Sequence, residues 1–220
     1  GGMDEREYAD AILDGCLESG TLGMVGDGAS PKKYLIGLEA IKKRGGLGIP
    51  IFKPREYNLD IIMRFKAAED AGAVAVGIDI DAASFRTMTL KGQAVGPKTI
   101  AELQELKSHL KVPFILKGIM NVESALAAIE AGADAIVVSN HGGRVMDHMP
   151  GTAEVLPEIA NAVGGRIKVL ADGGIREGTD ILKMLALGAD AVMIGRPICI
   201  AAFGAGQEGV SFYLQEKLNE

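Results

Sequence analysis

The chain has no tryptophan, and aromatic residues make up only 5% of its 220 residues. Its two cysteines, Cys16 and Cys199, stand far apart and lack the spacing of metal ligands. We therefore expect buried thiols in a reducing compartment, the cytoplasm, and no metal site. No apolar run approaches the roughly 18 to 20 residues that a membrane-spanning helix needs, and no segment resembles a secretory signal peptide.

Positive charge is also scarce, because 23 Lys and Arg residues face 29 Asp and Glu residues, for a formal net charge of -6. This balance argues against a nucleic acid or an anionic membrane as partner. A small anionic molecule can still be bound by local groups. Glycine is abundant, with 30 residues, and 48% of the chain is hydrophobic. Residues 1–220 are therefore sufficient for one α/β-barrel domain with a substantial core.

A glycine that ends a helix and leads into an apolar strand recurs along the chain, at Gly20, Gly72, Gly132 and Gly188. Seven strands are predicted, near residues 22–25, 48–52, 74–80, 112–116, 135–138, 167–170 and 191–194, separated by amphipathic helices. Helix N-terminal caps are predicted at Thr99 and at Thr179-Asp180. This alternation predicts a parallel sheet with right-handed crossovers, the TIM (β/α)8 barrel, with its first strand missing from the chain.

Glycines and charged side chains follow the ends of the predicted strands, which meet at one face of a barrel, where active sites lie. They include Gly26–Gly28, Lys53, Asp79, Asp81, Lys117, Ser139, His141, Asp172–Gly174, Gly195 and Arg196. The segments Asp172–Arg176 and Gly195–Arg196 follow the last two strands. Their glycine backbone N–H groups and nearby guanidinium groups predict a site for phosphate or for a phosphorylated cofactor.

The most informative segment is the apolar strand that ends at Val138 and leads into a glycine-hinged turn carrying His141 and Arg144. Histidine is the side chain whose unperturbed pKa, about 6.5, allows proton transfer near neutral pH. Lys117 also ends an apolar strand, where a buried ammonium is costly without an anion, so it should face a ligand or a carboxylate. Asp81 could then orient His141 or pair with Lys117.

Five motifs together resemble the FMN-dependent 2-hydroxy-acid dehydrogenase and oxidase family, which contains lactate oxidase, glycolate oxidase and flavocytochrome b2. They are Ile115-Leu116-Lys117-Gly118, Val138-Ser139-Asn140-His141-Gly142-Gly143-Arg144, Leu156-Pro157-Glu158-Ile159, Asp172-Gly173-Gly174-Ile175-Arg176 and Ile194-Gly195-Arg196-Pro197. The motifs fall in the family's order and spacing from Val112 to Val210. From Leu22 to Gly96 the match is looser and closer to short bacterial members.

The resemblance implies oxidation of a small L-2-hydroxy acid to the 2-oxo acid by a homo-oligomeric FMN enzyme. His141 would take the proton, Asp81 would stabilise its imidazolium, and Arg144 would pair with the substrate carboxylate. Lys117 would stabilise negative charge on the reduced flavin. The remaining family contacts would be Ser139 with the flavin, Asp172 with the ribityl chain, and Gly173, Gly174, Arg176, Gly195 and Arg196 with the phosphate.

The chain departs from the family at three places. A tyrosine that helps to bind the substrate carboxylate is absent, and Lys53 is the candidate substitute. Asp79 stands where the family has a threonine beside the flavin, so it should be turned away or paired, and Ser84-Phe85-Arg86 replaces an arginine-rich loop. The family's N-terminal segment and first strand are also missing, which would leave two unpaired sheet edges.

Two alternatives remain open from the sequence. One keeps the barrel and the flavin but assigns an FMN-dependent isomerase of a phosphorylated substrate, such as a type 2 isopentenyl-diphosphate isomerase. The other is a non-catalytic barrel fragment, which the missing strand favours. The turn from Ser139 to Arg144 favours the hydroxy-acid interpretation.

Overall fold

The computed structural model describes residues 2–30 and 32–220, in which strands and helices alternate. The strands are β1 Met24–Gly26, β2 Ile49–Phe52, β3 Val76–Asp79, β4 Phe114–Ile119, β5 Ala135–Val138, β6 Lys168–Ala171 and β7 Ala191–Val192. The helices are α1 Glu5–Glu18, α2 Lys33–Lys43, α3 Asn58–Asp70, α4 Arg86–Leu90, α5 Ile100–Ser108, α6 Val122–Glu130, α7 Thr152–Val163, α8 Gly178–Ala186 and α9 Arg196–Asn219. A 3-10 turn spans Ile80–Ser84, between β3 and α4.

The seven strands form one parallel sheet in sequential order, from β1 to β7. The sheet is curled as in a TIM barrel, so the predicted fold and all seven predicted strands are confirmed, with ends that shift by a few residues. The two short edge strands, β1 and β7, have no strand between them among the described residues. The barrel is therefore open along one seam.

Both faces of the sheet are buried, as in parallel sheets covered by helices. On the outer face, Phe52 of β2 and Phe114 of β4 contact Phe65 of α3, with ring centroids 6.2 Å and 5.8 Å apart. On the inner face a second apolar cluster contains Ile51, Ile115 and Val137. Because side chains alternate between faces, residues two positions after these also point inward. Lys53, Lys117 and Ser139 thus reach the interior at the carboxyl ends of their strands.

The helix ends agree with most of the predicted signals. The four glycines after α1, α3, α6 and α8 have positive φ, between 73° and 110°, as left-handed C-terminal residues do. Thr99 caps α5, because its hydroxyl accepts from the Glu102 backbone N–H. The cap predicted at Thr179-Asp180 is correct only for Asp180, because the N-cap residue is Glu177. Helix α8 already begins at Gly178, and the Asp180 carboxylate accepts from the backbone N–H of Glu177.

Cys16 is buried as expected, whereas Cys199 is only half-buried. The Cys199 Sγ lies 2.8 Å from the Tyr8 hydroxyl, a contact that joins α9 to α1. The expectation of two buried thiols is therefore correct for one of them. Across residues 2–30 and 32–220, no helix is both long enough and apolar enough to cross a lipid bilayer.

The turns that follow α2 and α3 approach each other closely at Gly46. Substitutions at Gly45 and at Gly46 should therefore differ in their effect on the free energy of unfolding. Gly45 and Gly46 both have positive φ, 63° and 90°, but only a β-carbon on Gly46 would overlap the Gly72 carbonyl oxygen. We expect Gly46→Ala to lower the free energy of unfolding by about 3–5 kcal/mol, from backbone strain and overpacking together. Gly45→Ala, its control, should lose only about 1–2 kcal/mol. Urea unfolding of both variants measures this, and equal losses would contradict the close-approach argument.

Candidate active site

A buried group of charged side chains lies where β2, β3 and β4 end. Asp79 and Lys117 are register partners on adjacent strands, and the Lys117 Nζ lies 3.0 Å from the Asp79 Oδ1. The Lys53 Nζ lies 2.6 Å from the other oxygen, Oδ2. Asp79 is therefore paired, by two ammonium groups. The expectation that Lys117 faces a carboxylate agrees with this arrangement.

The Lys117 side chain also connects Asp79 to the next two strands. Its Nζ donates to the Ser139 Oγ at 3.0 Å and lies 3.6 Å from the Asp172 Oδ2. The Ser139 hydroxyl in turn donates to the same Asp172 oxygen at 2.9 Å. The ends of β2 through β6 are thus joined by one polar network. Lys117 lies at the centre of this network.

His141 and Asp81 form the second part of the site. The His141 Nδ1 lies 3.1 Å and 3.2 Å from the two Asp81 carboxylate oxygens. Of the two roles left open for Asp81, the geometry therefore matches that of orienting the histidine. The His141 Nε2 makes no hydrogen bond with the described part of the chain. A ring held at one nitrogen and open at the other can accept a proton from a ligand.

The turn that carries His141 has an uncommon backbone. His141, Gly142 and Gly143 all have positive φ, 57°, 65° and 75°, and the His141 backbone N–H donates to the Ser139 Oγ at 3.2 Å. A left-handed histidine costs about 1–2 kcal/mol relative to the usual conformation. Asp81 reaches the ring by crossing close above Gly118, where an added β-carbon would lie 2.6 Å from the aspartate side chain.

The buried charges shift one another's pKa values. Burial alone would raise the pKa of Asp79, but attraction to Lys117, Lys53 and His141 holds it below its ordinary value. Burial would likewise lower the pKa of Lys117, and the carboxylates of Asp79, Asp172 and Asp81 raise it above the ordinary value instead. Lys117 is therefore an ammonium and Asp79 a carboxylate at neutral pH.

The pKa of Asp172 is shifted in the opposite direction from that of Asp79. Burial raises its pKa, and this effect outweighs the opposing attraction of Lys117 and the hydrogen bond from Ser139. Its second oxygen, Oδ1, is buried without a hydrogen-bond partner among the described residues. That oxygen is an acceptor available to a ligand. Asp172, Lys117 and Gly195 line a cavity of about 1030 Å³ that extends along the open seam.

The predicted phosphate-binding residues differ in the space and contacts around them. Gly174 and Gly195 have open space where a β-carbon would stand, so a ligand can approach their backbone closely. Gly173, by contrast, faces the Thr152 hydroxyl, 2.9 Å from an added β-carbon. Arg196 lies above Gly142, with a guanidinium nitrogen 3.2 Å from a β-carbon built there. The Arg176 side chain donates to the Ile175 carbonyl oxygen at 2.7 Å, and its contact with a phosphate stays a prediction.

Phe85, to which the sequence assigned no role, is also a member of the site. Its ring centroid lies 5.0 Å from the Arg144 guanidinium carbon, 5.2 Å from the Lys53 Nζ and 5.2 Å from the His141 ring centroid. Contacts of this kind between a cation and a ring face are favourable. The available signal was an aromatic residue within an otherwise small and polar loop after β3. Arg144 itself is exposed.

One grouping of side chains has the composition of a metal site. Asp79, Asp81 and His141 offer ligand atoms within 4.8 Å of one another. However, Lys53 and Lys117 already contact both oxygens of Asp79, and their positive charges oppose a cation there. The arrangement is better suited to moving a proton and binding an anion.

Known proteins are similar to this chain in sequence and in fold. A family model described as FMN-dependent dehydrogenase matches residues 81–220. A peroxisomal (S)-2-hydroxyacid oxidase of Arabidopsis thaliana, GLO4, is 36% identical over 208 residues, which cover 79% of this chain and 56% of the relative. An L-lactate oxidase of Lactobacillus jensenii is 40% identical over 189 residues, covering 83% of this chain and 46% of the relative.

Solved structures agree over nearly the whole chain. A mandelate oxidase structure with benzoyl-formic acid superposes with a TM-score of 0.80 at 35% identity, covering 98% of this chain and 66% of that one. A mandelate oxidase mutant with a monooxide FMN adduct gives a TM-score of 0.77 at 34% identity, with 98% and 67% covered. The chain spans about half the length of the curated relatives that it matches. It belongs to the FMN-dependent dehydrogenase family, whose members include 2-hydroxy-acid oxidases.

Proposed function

We propose that this chain supplies most of an active site that oxidises a small L-2-hydroxy acid to the 2-oxo acid with FMN. The observation that carries the proposal is the His141 ring, held by Asp81 through Nδ1 with its other nitrogen open. A proton acceptor beside a guanidinium group and a buried ammonium suits an anionic substrate that must lose a hydroxyl proton. The family's catalytic chemistry requires that proton to leave.

The residues present fit FMN at three places. The unpartnered Asp172 Oδ1 can accept from a ribityl hydroxyl. The open backbones of Gly174 and Gly195, near the start of α9 and Arg196, can bind a phosphate. The Lys117 ammonium can stabilise negative charge on the isoalloxazine ring. FMN, when bound, supplies the acceptor for the two electrons that leave C2 of the substrate.

The chain's own groups perform the remaining steps of the proposed reaction. Arg144 binds the substrate carboxylate, since a guanidinium matches a carboxylate in a bidentate manner and can orient C2. The His141 Nε2 accepts the proton from the substrate hydroxyl. Asp81 then stabilises the imidazolium that forms, because its two oxygens already lie about the Nδ1. Ser139 holds the turn in place through the His141 backbone N–H.

We also propose the cellular compartment and the assembly of this enzyme. One relative carries a peroxisomal name, whereas the two separated cysteines of this chain support a reducing compartment, and we assign the cytoplasm. A homo-oligomer would be consistent with the resemblance to the family. The open seam between β1 and β7 would need a further strand, since unpaired sheet edges attract strands.

A substitution at the proposed base should separate chemistry from cofactor binding. We expect His141→Gln to retain FMN but to lose roughly three or more orders of magnitude in the rate of flavin reduction by substrate. Anaerobic stopped-flow absorbance with lactate, glycolate and mandelate measures this rate. His148→Gln is the control, because His148 is an exposed histidine with a similar φ of 62°. Survival of fast reduction in His141→Gln would rule out the assigned role.

The effect of removing Lys117 on the free energy of unfolding should depend on pH. In the native protein, the lowered pKa of Asp79 contributes stability above the ordinary carboxyl pKa, and this is lost as pH falls through the lowered value. In Lys117→Met, Asp79 keeps only Lys53 and Asp172 loses the contact with Lys117, so the pKa values of both carboxyl groups rise and protonation at lower pH relieves part of the loss. We expect a loss of about 3–5 kcal/mol near pH 7.5 and a smaller loss near pH 5.

Urea unfolding at the two pH values tests this expectation. The matched control is Lys168→Met, which removes a lysine whose side chain is 72% exposed and paired with Asp190. That variant should lose about 0–1 kcal/mol at both pH values, as exposed pairs do. A loss in Lys117→Met that is equal at both pH values would show that the buried carboxylates do not depend on Lys117.

A further inference from the structure

Lys53 is a buried ammonium whose hydrogen-bonding capacity is largely unused. The residue is only 6% exposed, and an ammonium carries three N–H donors. Among the side chains that the structure describes, which do not include that of Ser84, its Nζ makes one hydrogen bond, to the Asp79 Oδ2 at 2.6 Å. Leaving donors of a buried charge without acceptors is costly. Two donors therefore have no acceptor among the described side chains, and a bound anion could supply one.

The ion pair with Asp79 does not account for this lysine by itself. Asp79 is shared, because the Lys117 Nζ lies 3.0 Å from its other oxygen. Lys117 has a second carboxylate within reach, Asp172 at 3.6 Å, whereas Asp79 is the one carboxylate within 4.0 Å of Lys53 in the described residues. Lys53 therefore shares its carboxylate partner with a second ammonium group. A buried positive charge of this kind favours an anion beside it.

Phe85 indicates where that anion would lie. The Lys53 Nζ and the Arg144 guanidinium carbon lie 5.2 Å and 5.0 Å from the centroid of the same ring. The His141 ring packs against it as well, at 5.2 Å. Lys53 therefore contacts the same aromatic ring as the groups that, under the proposed function, bind the carboxylate and accept the proton. The nearby cations differ in setting, since Lys53 is buried and Arg144 is exposed.

We infer that Lys53 donates to the carboxylate of the substrate together with Arg144, and that it determines specificity for anionic 2-hydroxy acids over uncharged analogues. This inference rests on the proposed function. Asp79 is then a positioning residue, which holds the Lys53 Nζ at the inner face of the sheet through the 2.6 Å contact. The lysine side chain supplies a point charge with rotatable donors, which complements the planar fork of Arg144.

Ligand binding without turnover tests the assignment. FMN-loaded protein is titrated with pyruvate, a 2-oxo acid, and with pyruvamide, its uncharged amide, while the flavin absorbance is followed. In Lys53→Gln we expect the dissociation constant for pyruvate to rise about 10- to 100-fold, the usual effect of losing a hydrogen bond to a charged group. The constant for pyruvamide should stay within about twofold. Lys53→Arg should retain most of the preference for the acid.

Two further variants complete the experiment. Lys168→Gln, which alters an exposed lysine at the opposite end of the sheet, should bind both ligands as the native protein does. If Lys53→Gln does not fold because Asp79 loses a partner, the double variant Lys53→Gln/Asp79→Asn removes both charges of the pair. It should lose the preference for pyruvate over pyruvamide to a similar extent.

The possible results separate this inference from the function on which it rests. Equal weakening for acid and amide, or unchanged binding of pyruvate, would overturn the role of Lys53 and leave the oxidation of hydroxy acids standing. Native protein that binds pyruvate no better than pyruvamide would overturn both. Selective loss of pyruvate binding in Lys53→Gln, with recovery in Lys53→Arg, would establish Lys53 as a specificity-determining residue.

Discussion

The buried carboxylate of Asp79, held between the ammonium groups of Lys53 and Lys117, is the interaction on which the rest of the site depends. Buried charges are tolerated when they are paired, and removal of one partner leaves an uncompensated charge. The three residues come from adjacent strands, β2, β3 and β4. Their pairing therefore fixes the relative positions of the strand ends, and Lys117 extends the network through Ser139 to Asp172.

This network divides the site into two regions with different chemistry. Around Lys117 and Asp172 lie an unused acceptor and open glycine backbones, which suit a cofactor with hydroxyl and phosphate groups. Around Phe85 lie two cations and a histidine, which suit an anionic substrate. Asp79 contacts the lysine of each region. A change of charge in one region should therefore alter the electrostatic potential in the other, because Asp79 and its lysine partners lie in a buried, weakly screened environment.

The open seam has a different physical character from the charged strand ends. The edge strands β1 and β7 are three and two residues long, and the cavity along them is about 1030 Å³, at the upper end of the usual range for a small-molecule pocket. The relatives with the same fold are longer than this chain. The charged network lies at the ends of β2 to β6, none of which is an edge strand. Of its residues, Asp172 and Lys117 line the cavity. The network therefore forms in a sheet whose edges β1 and β7 are not joined among the described residues.

The sequence by itself determined the seven strands, their parallel arrangement and the positions where polar residues leave the sheet, because these follow from local periodicity and from glycine at helix ends. It also supplied the motif from Ser139 to Arg144. Only the tertiary structure decided which groups meet. Lys53 and Asp79 are 26 residues apart, and their contact depends on strand register and inward orientation. Phe85 joins three cationic or ionisable groups that no sequence spacing connects, and Arg176 turns to its own backbone. Contacts between distant residues are set by packing, which local patterns do not encode.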